Sequence, residues 1–596
     1  MESGTNRKWL FRRTVFNLTI GTIVWLIGLA RTTLDTHVFS QIDLLILFGI
    51  TLLTPLTAYA TAQPDRNGNL SRLVWLIVYW QPFSAMMTGA ALILPTGALA
   101  GVLAVGWLLQ TGLFFLMGLA RWLPRPYTLL EEFCIDAGFI YALVSGIWFV
   151  PYRATGTFLS FSGPLVPLTV AHFTFISLGA LITAGMIGRQ LRSSRTDMPK
   201  IYRVSAWAAI ISPALVAIGI TQTASLGVVS ILEVIGVVML ASNYLLLAGI
   251  YLIAVRTTIN HRVARVILTL SATTLFLTMT LALVYSLGRV TNWWVLAIPD
   301  MVRWHGWFNA VGFTGLAVLG WSLAPTISHI HPGGIPFSRL TGRGRIGAGF
   351  FETLGVIATA DQSPTGIADD LGDYGAPDCQ IEQLEPHVRA FYEHTAQHQL
   401  RVYPQWNRRF HIPARLYKWF SRRVEQMNLP LEPERDDALI HSEIVALNDA
   451  MDGRERVRGW VRTYANTGVV VYVAAYANHT SKGQRYMNIA FPLPGGNLTS
   501  VLRLQTFAEK GAAVLHLTSI SDENTRGDQG VYFVTSPLPV RLPMSETIDV
   551  YPLPYPDFPD VSGCGDRICA YARHRMWLFG FHFLTLHYTL WPSQSR

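Results

Sequence analysis

The sequence predicts an all-α membrane bundle of about ten transmembrane helices, followed by a soluble α+β domain dominated by an antiparallel sheet or an open barrel. Of the 596 residues, 51% are hydrophobic and 14% are charged, far from the composition of an average soluble protein. The apolar excess lies before about residue 325, and short segments with a period of two begin after about residue 438. We therefore expect a transmembrane domain at 1–325, a linker at 326–347 and a cytoplasmic β-rich domain at 348–596.

Ten apolar stretches account for the predicted spans. A bilayer core about 30 Å thick needs a helix of roughly 20 apolar residues. No small-residue cleavage site follows the first stretch before the second begins, so we expect it to remain as a span and not to be removed as a signal peptide. The stretches lie at 12–34, 42–62, 72–93, 97–120, 128–150, 164–188, 204–223, 227–255, 264–288 and 302–324.

Basic residues in the short loops predict the orientation, because cytoplasmic loops carry the excess of Lys and Arg. The segment before the first span and the even-numbered loops hold most of these residues, and the odd-numbered loops are poorer. The N-terminus and the C-terminal domain are therefore predicted to be cytoplasmic. Spans six and ten then begin in the outer half of the bilayer.

The C-terminal half has the pattern of a β-rich domain with one or two flanking helices. The stretch "HPGGIPFSRLTGRGRIG" predicts the linker, whereas "EPHVRAFYEHTAQHQ" and "PARLYKWFSRRVEQMN" have helical spacing. Short strands joined by turns such as "SKGQ" and "PGGN" follow. The apolar stretch 576–591 is short for a span and alternates near its end, which favours a terminal strand or hairpin over an eleventh span.

One segment of this half, 401–423, interleaves basic and aromatic residues and contains no acid. Such a mixture suits anionic lipid at the inner membrane surface. Nucleic acid is the competing partner, but none is expected, because the positive loops already account for much of the net charge of +9. The alternative is a solvated helix whose aromatic residues face the sheet. The basic residues of the membrane-surface prediction are Arg408, Arg409, Arg415, Lys418, Arg422 and Arg423.

Ionisable residues within the spans are the first candidates for function, since they are costly in lipid. Glu132 and Asp136 are four residues apart on one helix face, and could relay protons, hold a cation or ion-pair with loop arginines such as Arg125. An interfacial position and a functional role are both open for Glu233. The candidates for a proton or ion pathway are Glu132, Asp136, Glu233, Asp300 and Arg303.

Two histidines are the candidates for a ligand site. His172 lies one turn from Thr169 in span six, and His305 lies near the start of span ten, where Asn309 and Gly312 continue the same face. Neutral imidazoles on facing helices can ligate haem iron or another metal, and a polar pocket with aromatic walls can hold a quinone or a lipid head. The alternative is that the two histidines form hydrogen bonds between helices and hold no ligand.

The motifs "EEFCIDAGFIYALVSGIWF", "GPLVPLTVAHFTF" and "RWHGWFNAVGF" resemble those of the YndJ-like family of bacterial integral membrane proteins. The segments "FYEHT", "DGRERVRGWVRT" and "YMNIAFPLP" are similar to the cytoplasmic part of its longer members. The resemblance implies an integral membrane protein of bacteria, with no assigned activity. On this resemblance, His172, His305 and Asn309 are the positions that match the motifs of the family. Thr174 stands where relatives have a second histidine, which weakens a His-x-His metal site.

Three functions remain open from the sequence. The first is an outer-leaflet ligand site around the two histidines, with haem, metal, quinone or lipid as the ligand. The second is transport of a proton or small solute, which needs a polar path from the outer histidines to the inner carboxylates. The third is a membrane-anchored binding or signalling module, in which the β-rich domain takes an apolar ligand. No motif of a specific enzyme is visible, and protein partners are not indicated.

Overall fold

The computed structural model divides the chain into two compact units, Met1–Gly333 and Gly334–Arg596. The boundary lies inside the stretch predicted as a linker. Leu340 and Ile346, which belong to that stretch, are buried in the second unit. The structure describes residues 3–34, 40–64, 69–125, 129–194, 197–291, 296–328, 334–358, 364–429, 431, 439–521, 527–535, 538–555 and 570–593.

The first unit is a helical bundle, as the apolar stretches predict. Within the described residues, nine helices are long and apolar enough to cross a membrane. A tenth helical run, α10 at 298–323, is the more polar one that carries His305. The nine are α1 Asn6–Thr32, α2 Gln41–Thr61, α3 Arg72–Ile93, α4 Ala98–Trp122, α5 Leu130–Ala154, α6 Leu165–Ser194, α7 Lys200–Leu226, α8 Ile231–Thr258 and α9 Arg262–Thr291.

Small residues let neighbouring helices of the bundle approach closely. A Cβ added at Gly146 on α5 would overlap Thr111 and Leu108 on α4. A Cβ added at Gly219 on α7 would overlap the backbone of Glu233 on α8. Because lipid provides no hydrophobic drive for helices to associate, such close packing is a main source of their attraction.

Wide helical turns, with hydrogen bonds from residue i to i+5, interrupt several of these helices. In α10 they cover Met301–Gly306 and Phe308–Gly315, and in α6 they cover Ile176–Leu181. Wide turns of this kind are frequent at functional sites, because they shift side chains out of the regular helical register. The two helices that carry the candidate histidines thus both depart from regular α-helix.

The second unit is built on a closed antiparallel β-barrel of ten strands. Neighbouring strands run β5-β4-β3-β2-β1-β12-β11-β10-β7-β6, and pairing of β6 with β5 closes the ring. Strands β8 and β9 continue outward from β6. Because the ring is closed, its ten strands have no free edge. The barrel therefore differs from the open barrel that the sequence also allowed. The strands are β1 His398–Trp406, β2 Leu439–Ala446, β3 Arg458–Tyr464, β4 Val470–Ser481, β5 Gln484–Leu493, β6 Gly496–Glu509, β7 Ala512–Thr518, β8 Gly530–Val534, β9 Pro539–Arg541, β10 Met544–Pro552, β11 Ala570–Leu578 and β12 Phe581–Pro592.

The lumen of the barrel is identified by one apolar cluster that takes residues from all ten ring strands. The lumen is the only region that side chains from all ten ring strands face together. Members from different strands include Val402, Trp460, Leu504, Val550 and Leu586. Residues one position along each strand point outward, because successive side chains alternate between the faces of a sheet.

The second unit also contains two helices that flank β1 in the sequence. They are α11 Pro386–Glu393 and α12 His411–Val424. The first is shorter than its helical spacing predicts, because β1 begins at His398 and takes the residues that follow. The stretch 576–591 forms most of the hairpin β11–β12, so the prediction of a terminal hairpin is confirmed.

The close contact at Gly146 predicts the effect of a larger residue there. We expect Gly146→Leu to lower the free energy of unfolding of the membrane unit by about 1–3 kcal/mol, because the added side chain must displace α4. The measurement is thermal unfolding in mild detergent. Gly112→Leu on α4 is the matched control, since a Cβ at Gly112 meets no atom within 4 Å. Equal losses for both variants would show that the α4–α5 contact is not tight.

Candidate functional site

His172 lies in the first half of α6, on the surface of the bundle. Its Nδ1 is 2.8 Å from the carbonyl oxygen of Leu168, one turn earlier in the same helix. The side chain is exposed, so a molecule in the surrounding lipid can reach the ring. Thr169 is also exposed, and its hydroxyl donates to the carbonyl of Leu165 at 2.8 Å. Thr169 is therefore bound to its own helix and not to the imidazole.

His305 lies in the wide-turn part of α10 and reaches across to α9. Its Nδ1 is 2.9 Å from the carbonyl oxygen of Thr278. The ring is half-buried. This contact fixes the ring against a neighbouring helix, and it depends on a backbone group that sequence spacing alone does not reveal.

Asn309 lies over the face of the His305 ring. Its amide nitrogen is 3.2 Å from both ring nitrogens. A group equally far from both nitrogens in the ring plane would collide with the carbon between them, so the amide must sit above the ring. The amide oxygen, Oδ1, is buried and has no hydrogen-bond partner in the protein. His305 and Asn309 therefore lie in contact on α10, and the Asn309 amide oxygen is an unused acceptor.

The two histidines lie at similar depths in the bundle. Helices α6 and α10 meet where a Cβ added at Gly179 would lie 2.5 Å from Thr314. His172 precedes Gly179 by seven residues and His305 precedes Thr314 by nine, which are rises of about 11 and 14 Å. The two imidazoles are close enough to interact electrostatically.

An apolar cluster joins this end of α6 to α2 and α10. Leu168 and Phe175, which flank His172 at one turn on either side, share an apolar cluster with Val302 and Trp307. His172 therefore lies on α6 between two residues that contact this cluster, and His305 lies on α10 close to two other members of it.

The backbone contacts decide which nitrogen of each imidazole is free. A carbonyl oxygen only accepts hydrogen bonds, so Nδ1 of His172 and Nδ1 of His305 must carry the hydrogen. In the neutral rings, each Nε2 then keeps a lone pair. Fixing the tautomer through the other ring nitrogen is the usual way in which proteins prepare a histidine to bind a metal or accept a hydrogen bond.

Asp300 and Arg303 are exposed at the start of α10. The Arg303 guanidinium lies 5.4 Å from the centre of the Trp304 ring. Neither residue is brought to the histidine pair by a contact that the structure describes, and their place in a pathway stays a prediction.

At the other end of the bundle, Glu132 and Asp136 form a buried ion network, which we call the arginine–carboxylate cluster. Arg189 on α6 donates to both carboxylate oxygens of Glu132 at 2.7 Å. Arg125, just after α4, lies 2.9 Å from Glu132 and 3.5 Å from Asp136. Arg121 on α4 lies 3.0 Å from Glu132 and 2.6 Å from Asp136.

This network matches one of the three roles considered for Glu132 and Asp136, ion pairing with loop arginines such as Arg125. Sequence reasoning missed Arg121 and Arg189 as partners, although both stand among the basic residues that indicate the orientation. Because three guanidinium groups surround two carboxylates, little room remains for a cation. The described residues contain no group of three or more His, Cys, Asp or Glu that could hold a metal ion.

Glu233 is also paired. Its carboxylate binds the guanidinium of Arg289 on α9 and accepts a hydrogen bond from the Thr223 hydroxyl at 2.5 Å. Thr223 and Arg289 both lie near the C-terminal ends of their helices. Glu233 therefore joins α7, α8 and α9 by polar contacts.

A family model described as "YndJ-like protein" matches residues 44–313, which include both histidines and the arginine–carboxylate cluster. The chain is also 30% identical to the uncharacterized membrane protein YndJ of Bacillus subtilis (strain 168) over 514 residues. The alignment covers 86% of this chain and 87% of the relative. The chain belongs to the YndJ-like family. The resemblance of its motifs to that family is thereby confirmed.

The two matches differ in extent. The YndJ-like family model ends within α10, whereas the alignment with the Bacillus subtilis relative is too long to end inside the first unit and extends into the second. No solved structure matches the chain. The function of a member of the YndJ-like family must therefore be argued from its own residues.

The arginine–carboxylate cluster predicts a large effect on stability. We expect Arg189→Leu to lower the free energy of unfolding by about 3–5 kcal/mol, because it leaves Glu132 buried without its two-bond partner. The measurement is thermal unfolding in mild detergent. Arg256→Leu is the control, because Arg256 is an exposed arginine in the last turn of α8. Similar unfolding temperatures for the two variants would mean that the cluster is not a structural requirement.

Proposed function

We propose that the protein is a ligand-binding protein of the bacterial inner membrane, and that it holds its ligand in the outer half of the bundle between His172 and His305. The basic loops support an orientation with the N-terminus and the β-barrel unit in the cytoplasm. The observation that carries the proposal is that both Nδ1 atoms are bound to backbone carbonyls, so that in the neutral rings each Nε2 keeps a lone pair. The Nε2 of His305 lies 3.2 Å from the amide nitrogen of Asn309, which a ligand would have to displace or share.

Two imidazole lone pairs could ligate haem iron, which His172 and His305 would then hold. A simple metal ion is less well supported, because its sites generally need three or more protein ligands and the described residues offer no such group. A quinol is the second ligand class, since its hydroxyl groups could donate to the same nitrogens. The exposure of His172 on the bundle surface favours either of these membrane-soluble molecules over a hydrated ion.

Transport of a proton or small solute has weaker support. A pathway needs polar groups that are free to bind the solute or the proton. Glu132, Asp136 and Glu233 are each ion-paired with arginine. The polar groups that a pathway would need are therefore occupied as ion pairs.

The histidine pair predicts a bound group that depends on both rings. We expect the purified protein to carry haem, seen as a Soret absorption band with stoichiometric iron, or a quinol, seen by mass spectrometry of its lipid extract. His172→Ala and His305→Ala should each remove it. His261→Asn is the control, because His261 lies at the start of α9, where its Nδ1 accepts from the backbone of Ala264.

The proposal fails if the protein is colourless and its extract contains no molecule that is depleted in both alanine variants. Loss of the bound group in His261→Asn as well would show that its binding depends on general folding and not on the pair.

We also infer that α12 of the barrel unit binds an anionic lipid surface. Ile412, Leu416, Trp419 and Phe420 form an exposed stripe along the helix, and Trp419 is 67% exposed. The solvated-helix alternative requires that the aromatic residues of α12 face the sheet, but most of them are exposed. Tyr417 alone is half-buried, and its hydroxyl donates to the carbonyl of Met427 at 2.9 Å.

The basic residues on and beside α12 also support an anionic lipid surface as the partner. The basic residues near this stripe, of which all but the half-buried Lys418 are exposed, would attract anionic headgroups while the apolar stripe enters the interface. They are Arg408, Arg409, Arg415, Lys418, Arg422 and Arg423.

The lipid contact predicts protection of α12 that depends on lipid charge. With the full chain in nanodiscs, we expect amide hydrogen exchange in 411–424 to be several-fold slower in anionic than in zwitterionic lipid. Arg415→Glu with Arg422→Glu should abolish the difference, because the charge attraction is reversed. Lys510→Glu, a reversal in the exposed β6–β7 turn, should leave it intact. Equal exchange in both lipids would contradict the proposal.

A further inference from the structure

The hairpin β11–β12 ends in a two-residue turn that begins with an aromatic residue. Leu578 pairs with Phe581 across the ladder, so Phe579 and Gly580 form the turn. Both have a positive φ, 51° for Phe579 and 79° for Gly580, which is the backbone of a type I′ turn. Bulky side chains are rare in this left-handed region, where glycine, asparagine and aspartate are preferred. Backbone preference therefore does not explain a phenylalanine at 579.

Two other hairpins of the barrel have the same turn with a different residue at its first position. Lys482 in the β4–β5 turn and Lys510 in the β6–β7 turn have φ of 52° and 50°, and a glycine with positive φ follows each of them. Both lysines are exposed. The β11–β12 turn thus carries an aromatic ring in a place where these two turns carry a charged group.

Phe579 and Phe581, which with Gly580 we call the hairpin tip, are both exposed. Phe579 is 68% exposed and Phe581 is 62% exposed. The backbone of the tip is nevertheless held in place, because the N–H of Phe579 donates to the carbonyl of Pro543 at 2.7 Å and the ladder continues to Phe581. Exposed apolar side chains that form a patch mark surfaces that bind a partner.

The hairpin tip lies beside the start of α12. The N–H of Asn407 donates to the carbonyl of Phe583 at 2.9 Å, and the rings of Phe410 and Phe583 lie 5.9 Å apart. Phe583 follows Phe581 by two residues on β12, and Phe410 directly precedes α12. The hairpin tip and the exposed stripe of α12 are therefore neighbouring parts of one surface.

The charge of this surface suits anionic lipid. The two chain segments that build it, 399–424 and 570–593, contain no Asp or Glu. Arg408 and Arg409, directly before α12, are exposed. Such basic residues attract anionic headgroups, whereas phenylalanine rings enter the apolar boundary below the headgroups. A bilayer surface provides both kinds of contact side by side.

We propose that Phe579 and Phe581 insert into the lipid interface beside α12, so that the barrel unit contacts the bilayer through two elements. This inference rests on the proposed contact of α12 with anionic lipid. Helix α12 contributes charge attraction together with its apolar stripe, whereas the hairpin tip contributes apolar burial, which does not depend on lipid charge. The two contributions can therefore be separated by experiment.

The first test locates lipid at the hairpin tip. A photoreactive phenylalanine analogue replaces Phe581 in the full chain, in nanodiscs of mixed anionic and zwitterionic lipid, and crosslinked peptides are identified by mass spectrometry. We expect about tenfold more lipid crosslinks from position 581 than from Phe507, which is 40% exposed. Phe507 is the matched position, because β10 begins beside the hairpin tip, at Met544, and ends near Val514 on β7, which pairs with Phe507.

The second test separates insertion from charge. Phe579→Lys keeps the turn, because Lys482 and Lys510 adopt the same backbone, and it adds a positive charge. Charge attraction alone would then slow amide hydrogen exchange of 411–424 in anionic lipid. Loss of an inserted ring should instead make this exchange several-fold faster. Phe507→Lys adds the same charge away from the hairpin tip and should leave the exchange unchanged.

Lipid crosslinks from position 581 together with faster exchange in Phe579→Lys would support the proposal. Absence of these crosslinks, or unchanged or slower exchange in Phe579→Lys, would overturn it, while slower exchange of α12 in anionic than in zwitterionic lipid would still support the contact of α12. Lipid crosslinks from 581 with equal exchange of α12 in both lipids would support insertion of the tip and overturn the contact of α12. Crosslinks from 581 to another copy of the chain in place of lipid would overturn the lipid contact and indicate a protein partner.

Discussion

The ion pairs between Arg189 and Glu132 are the contact on which the membrane unit depends most. They join α6 to α5 where both helices are buried, and Arg121 and Arg125 extend the same network to α4. In lipid, neither charge has water as an alternative partner, so each is stable only while the other is in place. The cluster thereby sets the position of α6 along its own axis.

The arginine–carboxylate cluster also affects the position of His172, because both lie on α6. His172 precedes Arg189 by 17 residues on α6, a rise of about 26 Å if the helix were regular throughout. The two polar regions therefore stand near opposite ends of the bundle.

The barrel unit obeys the same rule in a different setting. Its backbone groups are paired by closure of the ring, and most of its lumen is filled by apolar side chains. Glu546 is matched by His574, whereas Arg462 is met only by aromatic rings and a phenol.

The sequence by itself determined the division into two units, the count and type of most elements, and the terminal hairpin, because these follow from the length and period of apolar runs. It also singled out His172, His305 and Asn309. It did not determine barrel closure, the start of β1 at His398, or Arg121 and Arg189 as partners of Glu132. Those depend on which strands and helices become neighbours, and contacts between residues far apart in the chain leave no periodic trace in the sequence. Tertiary structure alone decided that Nδ1 of His305 meets a carbonyl of α9, and thus which nitrogen is free to act.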